Sequence, residues 1–157
     1  MPLDLTIFAA DARPCVPLLQ RGIHSAHQLL RSPLRELSVA IVKSRAMSDL
    51  HKNYLNISGP TDVLTFELQR DRRGRATAGE IVICSTVARK QSRRLSHPLG
   101  HELLLYAIHG LLHLSGFDDR TQRAFAAMHA KEDEILTRIG IGPVFAARTG
   151  AGKCDCT

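Results

Sequence analysis

Residues Leu3 to Phe8 alternate apolar and polar side chains, the period-two pattern of a strand with one buried face. From Val16 the period lengthens. Leu18, Leu19, Ile23, Ala26, Leu29 and Leu30 share one face of a helix that runs to Leu30, and Ser32-Pro33 breaks it. Leu37 to Val42 is a β-branched run and predicts a second strand. Ser44 offers a cap for a helix reaching Tyr54, after which Ser58-Gly59-Pro60 forces a turn. Asp62 to Leu68 and Gly79 to Cys84 predict two further strands, separated by a basic, Gly-containing loop from Gln69 to Ala78. A short helix is expected over Ser85 to Arg94. His97-Pro98 opens the next one, with a dense apolar series from Leu103 to Leu114 that Gly116 stops. Thr121 caps a last helix to Ile139, where Gly140 and Gly142-Pro143 end it.

The order βαβαββααα predicts an α+β fold, a small mixed sheet of about four strands packed with about five helices. It reads as a single domain over residues 1–142 followed by a loose tail over 143–157. A chain of 157 residues can bury a core without disulfide staples. Cys15, Cys84, Cys154 and Cys156 are irregularly spaced and form no C-x-x-C pair, which excludes a zinc ribbon and suits a reducing compartment. No apolar run approaches the roughly 20 residues of a membrane span. The first residues lack the basic-then-apolar pattern of a secretory signal, so a cytoplasmic location is expected. Twenty-one Lys and Arg against fifteen Asp and Glu leave a net charge of +6, which favours a polyanionic partner. With 4% aromatics and no Trp, backbone contacts suit this surface better than base stacking. Arg70, Arg72, Arg73 and Arg75 are the candidate contacts for a nucleic-acid phosphate backbone, and Arg89 to Arg94 form a second basic cluster.

The chemically informative segment is His109-Gly110-Leu111-Leu112-His113-Leu114-Ser115-Gly116-Phe117-Asp118-Asp119. Two histidines four apart on a helix lie about 40° apart around the axis and one turn apart along it, so both imidazoles can reach one metal ion. A glycine just past the helix can reverse the chain and return a third ligand. Asp119 fits that reach. Asp118 competes for the role but demands a tighter turn. Two histidines and one carboxylate leave an open fourth position, the arrangement of catalytic zinc, where a water's pKa falls toward about 7. Metalloproteases with this spacing carry a glutamate after the first histidine as general base. Here that position is Gly110, so peptidase chemistry is disfavoured. Glu80, Asp62, His101 and Glu102 are candidate bases by residue type.

The segment from His109 to Asp119 resembles the zinc signature of the YbeY-type rRNA maturation endoribonucleases. Asn53-Tyr54 with Gly59-Pro60-Thr61-Asp62-Val63-Leu64-Thr65-Phe66, and Gly79-Glu80-Ile81-Val82-Ile83-Cys84, are similar to two further blocks of that family. The resemblance covers roughly residues 1–140. It implies a zinc-dependent, single-strand-specific endoribonuclease of rRNA maturation and ribosome quality control, with one Zn2+ per chain. RNA precursors and the ribosomal subunit or its proteins are the implied partners. His109 and His113 carry over as metal ligands. Two positions depart from the family pattern: Asp119 stands where a third histidine is usual, and Leu55 where an arginine is usual. Aspartate binds zinc through oxygen, and its charge makes the ion a weaker Lewis acid. Leucine cannot hold a phosphate in a two-pronged grip as arginine does. A ribosome- or RNA-binding module that keeps the zinc site with weak cleavage is therefore the alternative expectation, and a metallohydrolase acting on a non-RNA bond is a third.

Overall fold

The computed structural model describes residues 2–55 and 62–144, with the side chains of residues 50–55 outside the description. Four strands, β1 (Asp4–Ala9), β2 (Glu36–Val42), β3 (Val63–Arg70) and β4 (Ala76–Cys84), form one sheet in the order β1-β2-β4-β3. β1, β2 and β4 are parallel, and β3 runs antiparallel along the edge of β4. Five helices complete the fold: α1 (Val16–Leu30), α2 (Ser44–Leu55), α3 (Ser85–Leu95), α4 (Leu99–Leu114) and α5 (Gln122–Arg138). The fold is α+β with a mixed sheet, as the element order predicts. The expected tail and the Cys154/Cys156 pair lie outside the described residues. Among those described, no helix is long and apolar enough to cross a membrane.

Side-chain alternation on the central strand splits the core in two. Ile81 and Ile83 of β4 face the larger cluster, with Leu19 and Ile23 of α1 and Leu104, Ile108 and Leu111 of α4. Val82 and Cys84 face the other way, onto Met47 of α2 and Leu64 of β3. Cys84 is thus a small buried hydrophobe. The dense apolar series on α4 has a simple cause: the helix is covered almost all round. From Gly100 to Leu114, only His101, His109 and His113 escape full burial. Their spacing of eight and four puts them on one stripe, the one face of α4 not packed into the core.

Two glycines let α4 come this close. A Cβ on Gly22 of α1 would meet both methyls of Leu104 at 2.7 Å. A Cβ on Gly110 would meet Ile81 at 2.9–3.0 Å through three of its side-chain atoms.

Several local readings change in the structure. The helix beginning at Ser44 is not capped by that serine. Its backbone N–H instead donates to the Thr86 hydroxyl of α3 at 3.0 Å. Half of the expected loop from Gln69 to Ala78 is sheet, because both strands extend and leave a turn of only Asp71 to Arg75. Asp71 organises that turn by accepting from the backbone N–H groups of Arg73 and Arg75 at 2.9 and 3.0 Å. Thr121 caps α5 as expected, its hydroxyl accepting from the Ala124 N–H at 3.0 Å.

Arg89 is not free for an outside phosphate. Its guanidinium grips Asp11 with both prongs, at 2.9 and 3.2 Å. That grip, helped by Ser85, holds the Asp11 carboxyl down at about 2 from its ordinary 3.8. A depressed carboxylate stabilises the fold above its unfolded value and loses that contribution as pH falls through the folded one. Asp11→Ala should therefore cost about 1 kcal/mol at pH 7 after solvent screening. The gap to the unsubstituted chain should close between about pH 4 and pH 2, as followed by thermal melts across that range.

Candidate metal centre

The centre is built where α4 ends. Gly116, at φ +104°, stops the helix, and its N–H donates to the His113 carbonyl at 3.1 Å. The Phe117 N–H reaches back to Leu112 at 3.0 Å. The chain reverses there and returns Asp119 to the helix face.

On that face the Nε2 atoms of His109 and His113 lie 3.1 Å apart, with their rings at 82° to each other. Asp119 Oδ2 is 3.8 Å from His113 Nε2. One ligand atom from each of these three residues falls within 4.8 Å of the others. Asp118 points elsewhere, its Oδ1 accepting from the Arg120 N–H at 3.1 Å. Two nitrogens on a tetrahedral zinc ion, each at about 2.0–2.1 Å, would lie about 3.3 Å apart. The donor set and its spacing therefore fit such an ion.

Behind the histidines stands a residue the motif does not reveal. Glu132 of α5 is fully buried and accepts two hydrogen bonds, from His109 Nδ1–H at 2.6 Å and His129 Nδ1–H at 2.7 Å. The first bond fixes the His109 tautomer, with the proton on Nδ1 and the lone pair of Nε2 aimed at His113. His129 stacks on His109 with centroids 5.7 Å apart, and Phe125 stands edge-on to His129 at 4.2 Å. A signal for Glu132 exists in the sequence. Met128, Ile135 and Leu136 form the buried stripe of α5, and Glu132 occupies a stripe position where an apolar residue is expected. His129, Glu132 and His109 also approach one another closely enough for an ion. Both oxygens of Glu132 are already committed to imidazole N–H groups, however, and a site there would have no open position. The trio supports the outer centre from behind.

The electrostatics follow. Burial depresses the His109 imidazole, but the Glu132 carboxylate on Nδ1 outweighs it and leaves the pKa raised. Burial and the neighbouring His109 hold His113 below its ordinary value, toward the neutral, ligating form. Glu132 is pushed up by burial, yet its two imidazole partners bring it below the usual carboxylate range.

The candidate bases separate by position. Asp62 lines a small cavity of about 50 Å³ together with Tyr106, His109, His129 and Glu132. Glu102 lies seven residues up α4 from His109, about 10 Å along the axis, and is bonded to His97 at 2.7 Å. His101 is on the same early turns of α4, and Glu80 sits within β4 opposite Phe66. Among the candidate RNA contacts, Arg70 lies in β3 and is paired with Glu67, and Arg75 is paired with Asp71 at 2.9 Å. Arg72 and Arg73 are exposed at the hairpin tip. The side chain of Leu55 and residues 59–61 lie outside the described residues.

Substituting Asp119 tests the third ligand. Asp119→Ala should weaken zinc binding by about 100-fold or more, since it removes a donor rather than a supporting partner. Asp118→Ala should leave zinc affinity unchanged and cost only the turn it caps. Competition against a chromophoric chelator reads both.

A helix-borne histidine pair, a returning carboxylate and a buried carboxylate behind them, on a four-stranded mixed sheet, define a small α+β protein with a candidate metal centre. A family model described as Endoribonuclease YbeY matches residues 12–140. The chain belongs to that family. Curated relatives named Endoribonuclease YbeY include that of Corynebacterium kroppenstedtii, 37% identical over 114 residues covering 66% of this chain and 56% of the relative. That of Acidothermus cellulolyticus is 38% identical over 116 residues, 67% of this chain and 71% of the relative. That of Mycolicibacterium smegmatis is 40% identical over 113 residues, 66% of this chain and 64% of the relative. The matched region thus spans roughly three-fifths of the length of these relatives. The solution structure of TM1509 from Thermotoga maritima shares the fold, with a TM-score of 0.57 and 24% identity over 85% of this chain and 90% of that one.

Proposed function

We propose that this chain is a zinc-dependent endoribonuclease that cuts single-stranded segments of rRNA precursors during ribosome maturation and quality control. The observation that carries the reading is the pair of Nε2 atoms 3.1 Å apart, with Asp119 beside them and Glu132 fixing one ring from behind. Family membership supplies the substrate class.

His109, His113 and Asp119 hold the ion, and their own geometry leaves the side facing solvent open. When bound, zinc supplies Lewis acidity, polarising a phosphoryl oxygen and making an attacking water more acidic. Glu132 keeps the His109 lone pair aimed outward and offsets part of the cationic charge. Of the four candidate bases, Asp62 is the one that shares a cavity with His109, and it is the first to test as a proton acceptor by Asp62→Asn. Arg72 and Arg73 at the hairpin tip contact phosphates without reading bases. Gly110 offers no carboxylate between the histidines, consistent with a phosphodiester rather than a peptide substrate.

Leu55 favours a second reading, a ribosome- or RNA-binding module that keeps the zinc site but cleaves weakly. One experiment separates the two. The untagged chain is assayed for zinc content and for cleavage of single-stranded rRNA fragments, with chelator and after zinc is restored. Stoichiometric zinc with cleavage that chelator abolishes and zinc restores is the expected result. Stoichiometric zinc without cleavage would select the binding module, and a chain that takes up no zinc would overturn both.

A further inference from the structure

A concavity lined by three arginines lies away from the candidate metal centre. A cavity of about 430 Å³ opens between the end of α1 and the β3–β4 hairpin. Gln28, Arg31 and Ser32 come from the end of α1, Arg35 from the approach to β2, and Arg75 and Thr77 from the hairpin and β4. The nearby Asp71 neutralises Arg75, at 2.9 Å. Arg31 and Arg35 are exposed and make no ion pair among the described residues, so the cavity keeps two uncompensated positive charges.

The helix dipole accounts for one cation at the end of α1, but not for a second one contributed by another segment. Arg31 is also held in a left-handed conformation, φ 49° and ψ 44°, at the helix C-cap, where glycine is the unstrained choice. Its backbone N–H donates to the Gln28 carbonyl at 3.2 Å, which fixes where the arginine leaves the helix.

A second concavity of about 330 Å³ adjoins it, sharing Arg35, Asp71 and Thr77, and is lined as well by Gln69 and by the carboxylate of Glu36. The positive charge is therefore concentrated in the first one, between Arg31 and Arg35, an open trough with room for more than one small anion. It also adjoins the candidate centre. The Ser32 hydroxyl on its wall is 2.9 Å from the Ser115 hydroxyl, and Ser115 caps α4 two residues after His113. The wall and the metal-binding face of α4 are therefore separated by roughly one helix diameter, about 10–12 Å.

We infer that this trough is a second phosphate-binding subsite, in which Arg31 and Arg35 grip the backbone of the same RNA strand at phosphates away from the scissile one. The inference rests on the nuclease reading above, but its test does not depend on cleavage. A fluorescently labelled single-stranded oligoribonucleotide is titrated in chelator, by anisotropy, at several salt concentrations. The unsubstituted chain is compared with Arg31→Ala/Arg35→Ala and with Arg31→Lys/Arg35→Lys, each checked for fold by circular dichroism and for zinc content.

The alanine pair should lose about tenfold or more in affinity. Removing two single-strand phosphate contacts should also flatten the slope of log affinity against log salt by about 1.4. The lysine pair should keep the slope and recover part of the affinity. Equal affinity and slope in the alanine pair would overturn the subsite while leaving the nuclease reading intact. Arginine-dependent binding in a chain that never cleaves would uphold the subsite and remove the nuclease reading. Failure of the unsubstituted chain to bind the oligonucleotide would overturn the subsite. So would displacement of the oligonucleotide by inorganic phosphate at equal total phosphate, which would mark a small-anion site.

Discussion

His109→Ala should abolish zinc binding and reduce RNA cleavage to background, a loss of at least about 1,000-fold in rate. His113→Ala should match it on both counts, because each variant removes one of three donors. The two should differ in stability. His113 faces outward, and its Nε2 looks toward His109 and Asp119. His109 looks both ways, with Nε2 toward the centre and Nδ1 on Glu132. Removing His109 leaves a fully buried carboxylate with one imidazole partner in place of two. Compared in chelator, where metal no longer contributes, His109→Ala should be less stable than His113→Ala by about 2 kcal/mol. Denaturant melts with chelator check this. Equal stabilities would mean that the Glu132–His109 bond does not hold the site in solution.

Glu132 itself carries the second large effect, although it is not expected to touch the ion. Glu132→Ala strands two buried imidazole N–H groups and opens a cavity, a loss of about 3 kcal/mol. For a chain of this length the melting temperature should fall by about 10 °C. Glu132→Gln is the more informative change because it conserves volume. One amide oxygen can still accept from a histidine. The amide NH2 then faces the other N–H, and that ring must shift its proton to Nε2 or lose its bond. If His109 is the one that shifts, its lone pair no longer points at the centre. Zinc affinity should fall by about 10- to 100-fold with only a modest change in melting temperature. Zinc affinity unchanged in a folded Glu132→Gln chain would remove Glu132 from the metal site.

The parts of this molecule that were readable in the sequence are those written in local periodicity. The helix carrying His109 and His113, the stop at Gly116, the Thr121 cap and the four strands all follow from contiguous residues. The strand order does not. Nothing local says that β3 turns antiparallel onto the edge of β4, or that the hairpin leaves only five residues between the strands. Long-range pairing decided that arginines expected in an open loop or on a helix end would be bound to Glu67, Asp71 and Asp11. The candidate site divides in the same way. His109, His113 and Asp119 are close in sequence, and one reversal of the chain joins them. Glu132 and His129 come from the next helix, and only the packing of α5 on α4 brings them behind His109. The glutamate on the buried stripe of α5 was a visible anomaly, but its partner was not.

The contact between Gly110 and Ile81 bears on how this centre could change over evolutionary time. The distance in sequence to the H-E-x-x-H of a peptidase is one residue. The distance in structure is much larger. Ile81 is fully buried on β4, its branched side chain is stiff, and a Cβ added at position 110 would already lie 2.9–3.0 Å from three of its atoms, closer than carbon atoms pack. A glutamate there would have to push α4 off the sheet that positions both histidines. Selection of single substitutions for peptide cleavage should therefore return nothing at position 110. A lineage could cross between the two chemistries only by first making room at Ile81, and such an intermediate would have a loosened core and no new activity to reward it.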